Sequence, residues 1–196
     1  MLYYNTRYQN QKGVNMIYIV RHGETDRNVE GILRGSAHDD EINEVGIKQA
    51  KEIGKQLANV KFDICYCSPM SRTRQTYEQI SNCPLVLDKR ILPIQYDGSL
   101  IGKSISVTAK GPIDYWERNN KKLSEESESV LEFEARVFSF FDEIVAKHAN
   151  QNVLVVTHSS TCKPVKGYFL GIPAGNSYSC FHTENGEIIK GDKRKT

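Results

Sequence analysis

Two arginines and two histidines stand where short apolar runs of this chain stop. Arg21-His22-Gly23 follows MIYIV (Met16 to Val20), Arg72 follows FDICYC (Phe62 to Cys67) across a Ser-Pro turn, and His158 follows NVLVV (Asn152 to Val156). Guanidinium groups present forked donors that match phosphate oxygens, and their charge does not depend on pH. An imidazole beside them can attack phosphorus and carry the phosphoryl group covalently, and the neighbouring cations favour its neutral, nucleophilic form. A second imidazole can donate to the charge that grows on the transferring oxygens. Each of the four alone is better read as a satisfied structural histidine or an ordinary surface cation. All four at strand ends read as a phosphate pocket.

The elements that must position them follow from apolar periodicity. The three runs above are short and β-rich, and each is a buried strand ending in a turn. Pro84 to Leu87 is a further short strand. Ile42, Val45, Ile47, Ala50, Ile53, Leu57 and Val60 form one stripe of a helix starting near Asn43. A second helix, roughly Arg72 to Ile80, is expected to be capped by a serine of Ser68-Pro69-Met70-Ser71. Val130 to Val145 is a long amphipathic helix, while Asp88 to Ser124 is irregular, broken by Pro93, Gly98, Gly102, Gly111 and Pro112. Ser177 to Thr183 and Glu187 to Lys190 around Asn185-Gly186 predict a hairpin. Strands alternating with helices imply an α/β fold, a three-layer α/β/α sandwich with a largely parallel central sheet. Ligands of such sheets sit beyond the carboxyl ends of the strands, where the four residues fall.

Composition narrows the possibilities. The chain has 196 residues, enough for one domain with its own core. Lys plus Arg is 26 against 24 Asp plus Glu, a net charge of +2, which argues against a nucleic-acid or membrane-surface partner. Mean hydropathy is −0.51, no apolar run approaches a bilayer span of about 20 residues, and the first residues lack a signal peptide's apolar middle, so the expected location is the cytoplasm. Five cysteines, Cys65, Cys67, Cys83, Cys162 and Cys180, form no C-x-x-C pair and read as reduced, small core residues. His38, His148 and His182 match no ligand spacing, so no metal or other cofactor is expected. Nothing here sets an oligomeric state.

Arg21-His22-Gly23-Glu24-Thr25, with Asn28 and Gly31 behind it, resembles the RHGE[ST] signature of the histidine phosphatase superfamily, also called phosphoglycerate mutase-like. Further blocks are similar to that family's in order and interval: Leu33-Arg34-Gly35, Asn43 to Ala50, Ser68 to Thr76, Ser127-Glu128-Ser129 with Arg136, and Val155 to Ser159. The resemblance implies a small phosphorylated substrate and no metal. It makes His22 the phosphorylated nucleophile, with Arg21, Arg72 and His158 clamping the phosphoryl group. Thr25, Asn28, Arg34, Gly35 and Ser159 are its further substrate contacts. The glycine after His22 suits a backbone that turns sharply and approaches an anion closely.

The chain departs from the family pattern at the proton donor. The L-x-E-x-x-x-G segment aligns as Leu92 to Gly98, with Ile94 at the glutamate's position. A positioned general acid is typically worth about a hundredfold to ten-thousandfold, most for alkyl phosphates with poor leaving groups. Asp97 is a replacement on the same loop, or a turn cap before Gly98; Glu128 is a second, or helix-start capping. Ser159 stands where the family has glycine, crowding the phosphate or donating to it. Three functions are compatible with these residues: a phosphomonoesterase, a phosphoglycerate mutase, and a catalytically impaired binder of phosphorylated ligands. The short segment between Arg72 and His158 favours the first over the mutase. Tyr96, Lys103, Lys110, Tyr115 and Trp116 either line the pocket or cover it.

The ends of the chain read differently from residues 16–190, the expected single domain. Lys12 to Met16 can be encoded by AAAGGAGTGAATATG, which holds a purine-rich ribosome-binding string before an ATG, so Met1 to Asn15 reads as a translated leader, or else as a genuine extension. Residues 191–196 read as a basic tail.

Overall fold

A computed structural model describes residues 16–109 and 114–192. The stretch read as a leader lies outside the described residues, as does Lys110. Five strands, β1 (Met16–Arg21), β2 (Ile64–Cys67), β3 (Leu85–Leu87), β4 (Val153–Thr157) and β5 (Ile188–Asp192), form one sheet in the order β3-β2-β4-β1-β5. The first four run parallel and β5 is antiparallel to β1. The helices are α1 (Asp26–Val29), α2 (Glu44–Gln56), α3 (Ser71–Ile80), α4 (Ser106–Ala109), α5 (Val130–Lys147) and α6 (Ser159–Leu170).

Alternation along the strands sorts the core into two layers. Val20, Cys65, Cys67, Leu154 and Val156 pack with Ile53 of α2, Leu57 at its C-cap and Tyr77 of α3. Ile17, Ile19, Tyr66, Val153 and Val155 pack with Phe133, Val137 and Phe141 of α5 and Val165 of α6. Helices therefore cover both faces, and the expected sandwich with its mostly parallel sheet is what the chain adopts. Cys65, Cys67 and Cys162 are buried as small core residues, whereas Cys180 is exposed.

Several local expectations are corrected. On α2, Val45 and Ile47 are exposed, while Ala50 and Ile53 are buried, and Ile53 with the C-cap residue Leu57 joins the core on the sheet. The cap of α3 comes from elsewhere in the chain: Asp39 accepts the Ser71 N–H at 2.6 Å and the Ser71 hydroxyl at 2.9 Å. The C-terminal hairpin has only its turn and second arm. Gly186 takes φ +79° and Glu187 N–H donates to Glu184 O at 3.1 Å, but Ser177 to Thr183 is not a strand, because its backbone is engaged elsewhere. Tyr178 N–H donates to Trp116 O, and the carbonyls of Tyr178 and Phe181 accept from Lys163. β5 instead pairs along β1 as far as Asp192 opposite Met16, two residues into the stretch read as tail.

Candidate active site

Strand register brings the four residues together. Arg21 lies opposite Thr157 in the β1–β4 pair, so His22 and His158 are the first residues past adjacent strand ends. Their rings meet edge to face with centroids 5.3 Å apart. β2 lies on the other side of β4, and its end continues through Ser68 into α3, whose first turn carries Arg72. A cavity of about 490 Å³ opens over these ends, lined among others by Arg21, His22, Arg34, Arg72, His158 and Ser159. That volume is in the range of small-molecule sites.

Hydrogen bonds fix both imidazoles. His22 Nδ1 lies 2.7 Å from Gly23 O, and a carbonyl only accepts, so Nδ1 carries the proton and Nε2 keeps its lone pair. His158 Nδ1 accepts from Arg72 Nε at 3.3 Å, and its Nε2–H donates to Ser68 Oγ at 2.7 Å. The tautomers are therefore opposite. Burial and then the charges of Arg72 and Arg21 hold His22 well below the ordinary imidazole value; burial and Arg72 do the same to His158. Neutral His158 has its one N–H on Ser68, so donating to a second oxygen from Nδ1 requires its protonation, which a bound dianion favours.

The arginines are pinned rather than free. Arg72 donates to His38 O at 3.0 Å and Gly35 O at 3.5 Å, and burial lowers its pKa to about 10, which leaves it charged at neutral pH. Arg21 donates from Nη1 to Thr183 O at 2.5 Å, while its buried Nε–H has no partner among the described residues. A third guanidinium, Arg34, is ion-paired with Asp40 and donates to Thr25 Oγ1 at 2.8 Å. Ser159 and Ser160, at the N-terminus of α6, add first-turn N–H groups and the positive end of a helix dipole to the same wall.

Gly23 has a packing reason to be glycine. Its φ is not positive, and a Cβ there would lie 2.5 Å from Gly46 O, where the start of α2 is pressed against the His22 turn. Gly46 is equally closed, since its Cβ would meet Glu24 O at 2.2 Å. Gly35 takes φ +55°, and a Cβ there would meet Ile94 O at 2.6 Å.

Of the residues expected as substrate contacts, Asn28, Arg34, Gly35 and Ser159 line the cavity and Thr25 does not. Thr25 is fully buried as the N-cap of α1, and its hydroxyl is held by Asn28 and Arg34. Asp97 is also off the wall: it caps a turn by accepting the Ser99 N–H at 2.8 Å, and bonds led by the Ser99 hydroxyl hold its carboxyl below the ordinary range. It is withdrawn as proton donor. Glu128 is a fastener, paired with Arg136 at 2.7 Å and accepting the Gln95 N–H at 2.9 Å. Arg136 also donates to Arg90 O and Leu92 O, so α5 fixes the path of the segment from 90 to 95. On that path Ile94 is fully buried in the core, and the side chain facing the cavity is Pro93. Neither residue carries a proton.

Tyr96 and Trp116 line the cavity, whereas Lys103 and Tyr115 do not. Sequence reasoning missed Ser68, which the Ser-Pro segment displayed, and Lys163, His182 and Glu184, for which the sequence carried no signal. No three His, Cys, Asp or Glu side chains among the described residues gather as metal ligands, and no described helix is long and apolar enough to cross a membrane.

The model of the histidine phosphatase superfamily (branch 1) matches residues 17–192. Phosphoserine phosphatase 1 of Hydrogenobacter thermophilus is 30% identical over 186 residues, covering 86% of each chain. A metal-independent phosphoserine phosphatase of Arabidopsis thaliana is 31% identical over 161 residues, covering 78% of this chain and 67% of that protein. The solved structure of Bacillus stearothermophilus YhfR superposes with a TM-score of 0.77 at 26% identity, covering 90% of each chain. With a parallel sheet whose ends gather two arginines around two imidazoles, and a match over nearly its whole length, the chain belongs to branch 1 of the histidine phosphatase superfamily.

Proposed function

We propose that this chain is a phosphomonoesterase of small phosphorylated substrates, acting through a phosphohistidine on His22. The observation that carries the reading is the pairing of His22 Nδ1–H with Gly23 O, which leaves Nε2 as an unprotonated nucleophile inside a ring of fixed cations. The substrate phosphate sits among Arg21, Arg72 and the N-terminus of α6, where the unpartnered Nε–H of Arg21 finds an acceptor. Nε2 attacks phosphorus in line with the leaving oxygen, and the guanidiniums stabilise the charge on the equatorial oxygens. Water then attacks the phosphorus, and His22 leaves as the neutral imidazole it began as. Relatives named as phosphoserine phosphatases support a small phosphomonoester as substrate.

The test uses p-nitrophenyl phosphate, whose leaving group needs no proton. A burst of nitrophenol, followed by turnover and an acid-labile phosphoryl label on His22, is expected, with all three lost in His22→Ala. Tight phosphate binding without turnover would leave a phospho-ligand binder instead. Transfer between the hydroxyls of a phosphoglycerate, dependent on added bisphosphate, would make it a mutase.

A further inference from the structure

The reading above leaves the leaving-group oxygen without a proton, since the segment after β3 turns Pro93 to the cavity and Asp97 away from it. Five other cavity-lining side chains can carry one: Glu24, Tyr96, Lys163, His182 and Glu184. Glu24 is turned to Asn43, which donates to it at 3.1 Å. Tyr96 is buried, and burial pushes its hydroxyl far above the ordinary phenol value. Lys163 spends N–H groups on Tyr178 O at 3.1 Å and Phe181 O at 2.5 Å and lies over the Trp116 ring, which makes it a fastener of that loop.

His182 and Glu184 are different. His182 Nε2 lies 2.9 Å from Glu184 Oε1, and both side chains line the cavity while staying open to solvent, 72% and 77% exposed. Their loop is nevertheless held to the reacting residues. Arg21 donates to Thr183 O, Asn185 Nδ2 donates to His22 O at 2.9 Å, Glu184 N–H donates to Glu187 at 2.9 Å, and Lys166 donates to His182 O. The same two residues that would hold and attack the phosphate thus fix the position of the pair.

We propose that His182, oriented by Glu184, is the catalytic proton donor of this enzyme. The proposal rests on the phosphohistidine reading. As the His22 Nε2–P bond forms and the P–O bond to the leaving group breaks, protonated His182 keeps Nε2–H on Glu184 and passes its Nδ1 proton to the departing oxygen, which leaves as an alcohol. In the second step the Nδ1 lone pair takes a proton from the attacking water while the Nε2–P bond of His22 breaks, which restores both histidines.

The experiment compares p-nitrophenyl phosphate, phenyl phosphate and 2-glycerophosphate in the full chain, His182→Ala and Glu184→Gln. Loss of a proton donor is expected to lower kcat/KM for 2-glycerophosphate about a hundredfold in His182→Ala, with p-nitrophenyl phosphate within about threefold of wild type. Phenyl phosphate should fall between, and Glu184→Gln should show a smaller loss with the same dependence on leaving group. A retained kcat/KM for p-nitrophenyl phosphate, which reports only the steps up to nitrophenol release, also shows that each variant is folded. An equal loss on all three esters, no loss on 2-glycerophosphate, or a wild type inert toward it overturns the proposal, while an intact label on His22 leaves the parent reading standing. A wild type with no label on His22 overturns both.

Discussion

Arg72 donates from Nε to Nδ1 of His158 at 3.3 Å, and this single contact decides which nitrogen of that histidine is protonated. Arginine cannot accept, so Nδ1 must, and the proton lies on Nε2 against Ser68. His22 is held the other way by Gly23 O. Nitrogen-15 NMR of the ligand-free protein near neutral pH should therefore show one Nδ1–H and one Nε2–H neutral ring, assigned through His22→Asn and His158→Asn. Two rings of the same tautomer would contradict the assignment. Arg72→Lys, which removes the Nε donor and the guanidinium fork, should lower kcat/KM for p-nitrophenyl phosphate by about a hundredfold to a thousandfold.

The two buried histidines also tie stability to pH. Both are held well below their ordinary value by burial, so the unfolded chain binds protons that the folded chain refuses. Their contribution is fully present above the unfolded value near 6.5 and shrinks as pH falls below it, by up to about 1.4 kcal/mol per pH unit for each histidine. Urea denaturation in phosphate-free buffer should show stability dropping between about pH 6.5 and 5. The His22→Asn, His158→Asn double variant should flatten that slope, and an unchanged slope would remove the two rings as its source.

Asp39 reaches across from another loop to cap α3 one residue before Arg72. Asp39→Ala should cost about 1 kcal/mol of stability, as lost caps do. It should also raise the KM for p-nitrophenyl phosphate more than it lowers kcat, because the first turn that aims Arg72 loosens. Loss of stability with an unchanged KM would confine Asp39 to a structural part.

The start of α2 leaves no room behind the His22 turn. Gly46→Ala would bring a Cβ to 2.2 Å from Glu24 O, a backbone atom that cannot swing away. Overpacking of this kind typically costs about 1–3 kcal/mol. Thermal denaturation should show a lowered Tm, together with reduced turnover, since Gly23 and Glu24 follow His22 directly. Gly98→Ala, where a Cβ meets nothing within 4 Å, is the matched control.

The mostly parallel sheet and the rim of two arginines and two histidines were legible because both depend on local signals: short β-rich runs that stop at such residues. What depended on long-range pairing was not. Asn185-Gly186 correctly signalled a turn, yet the strand that follows it pairs with β1, and the segment before it is bound to Trp116 and Lys163. That Ile94 is buried while Pro93 faces the cavity was not legible either, because which side of an irregular extended segment faces the core is set by its long-range packing. Thr25 and Asp97 belong to residue types that cap turns as readily as they bind ligands, and only their hydrogen bonds separate the two uses.

The neighbours of β1 carry a consequence for how the protein is made. β1 carries the arginine and leads into the nucleophile, yet it pairs on one side with β4 and on the other with β5, both far down the chain. A nascent polypeptide emerging from the exit tunnel can assemble β2, α3 and β3 while β1 still has both edges bare. Activity is then among the last properties the chain acquires, and stalling translation before Ile188 should yield a folded-looking intermediate that chaperones bind and that turns over no ester.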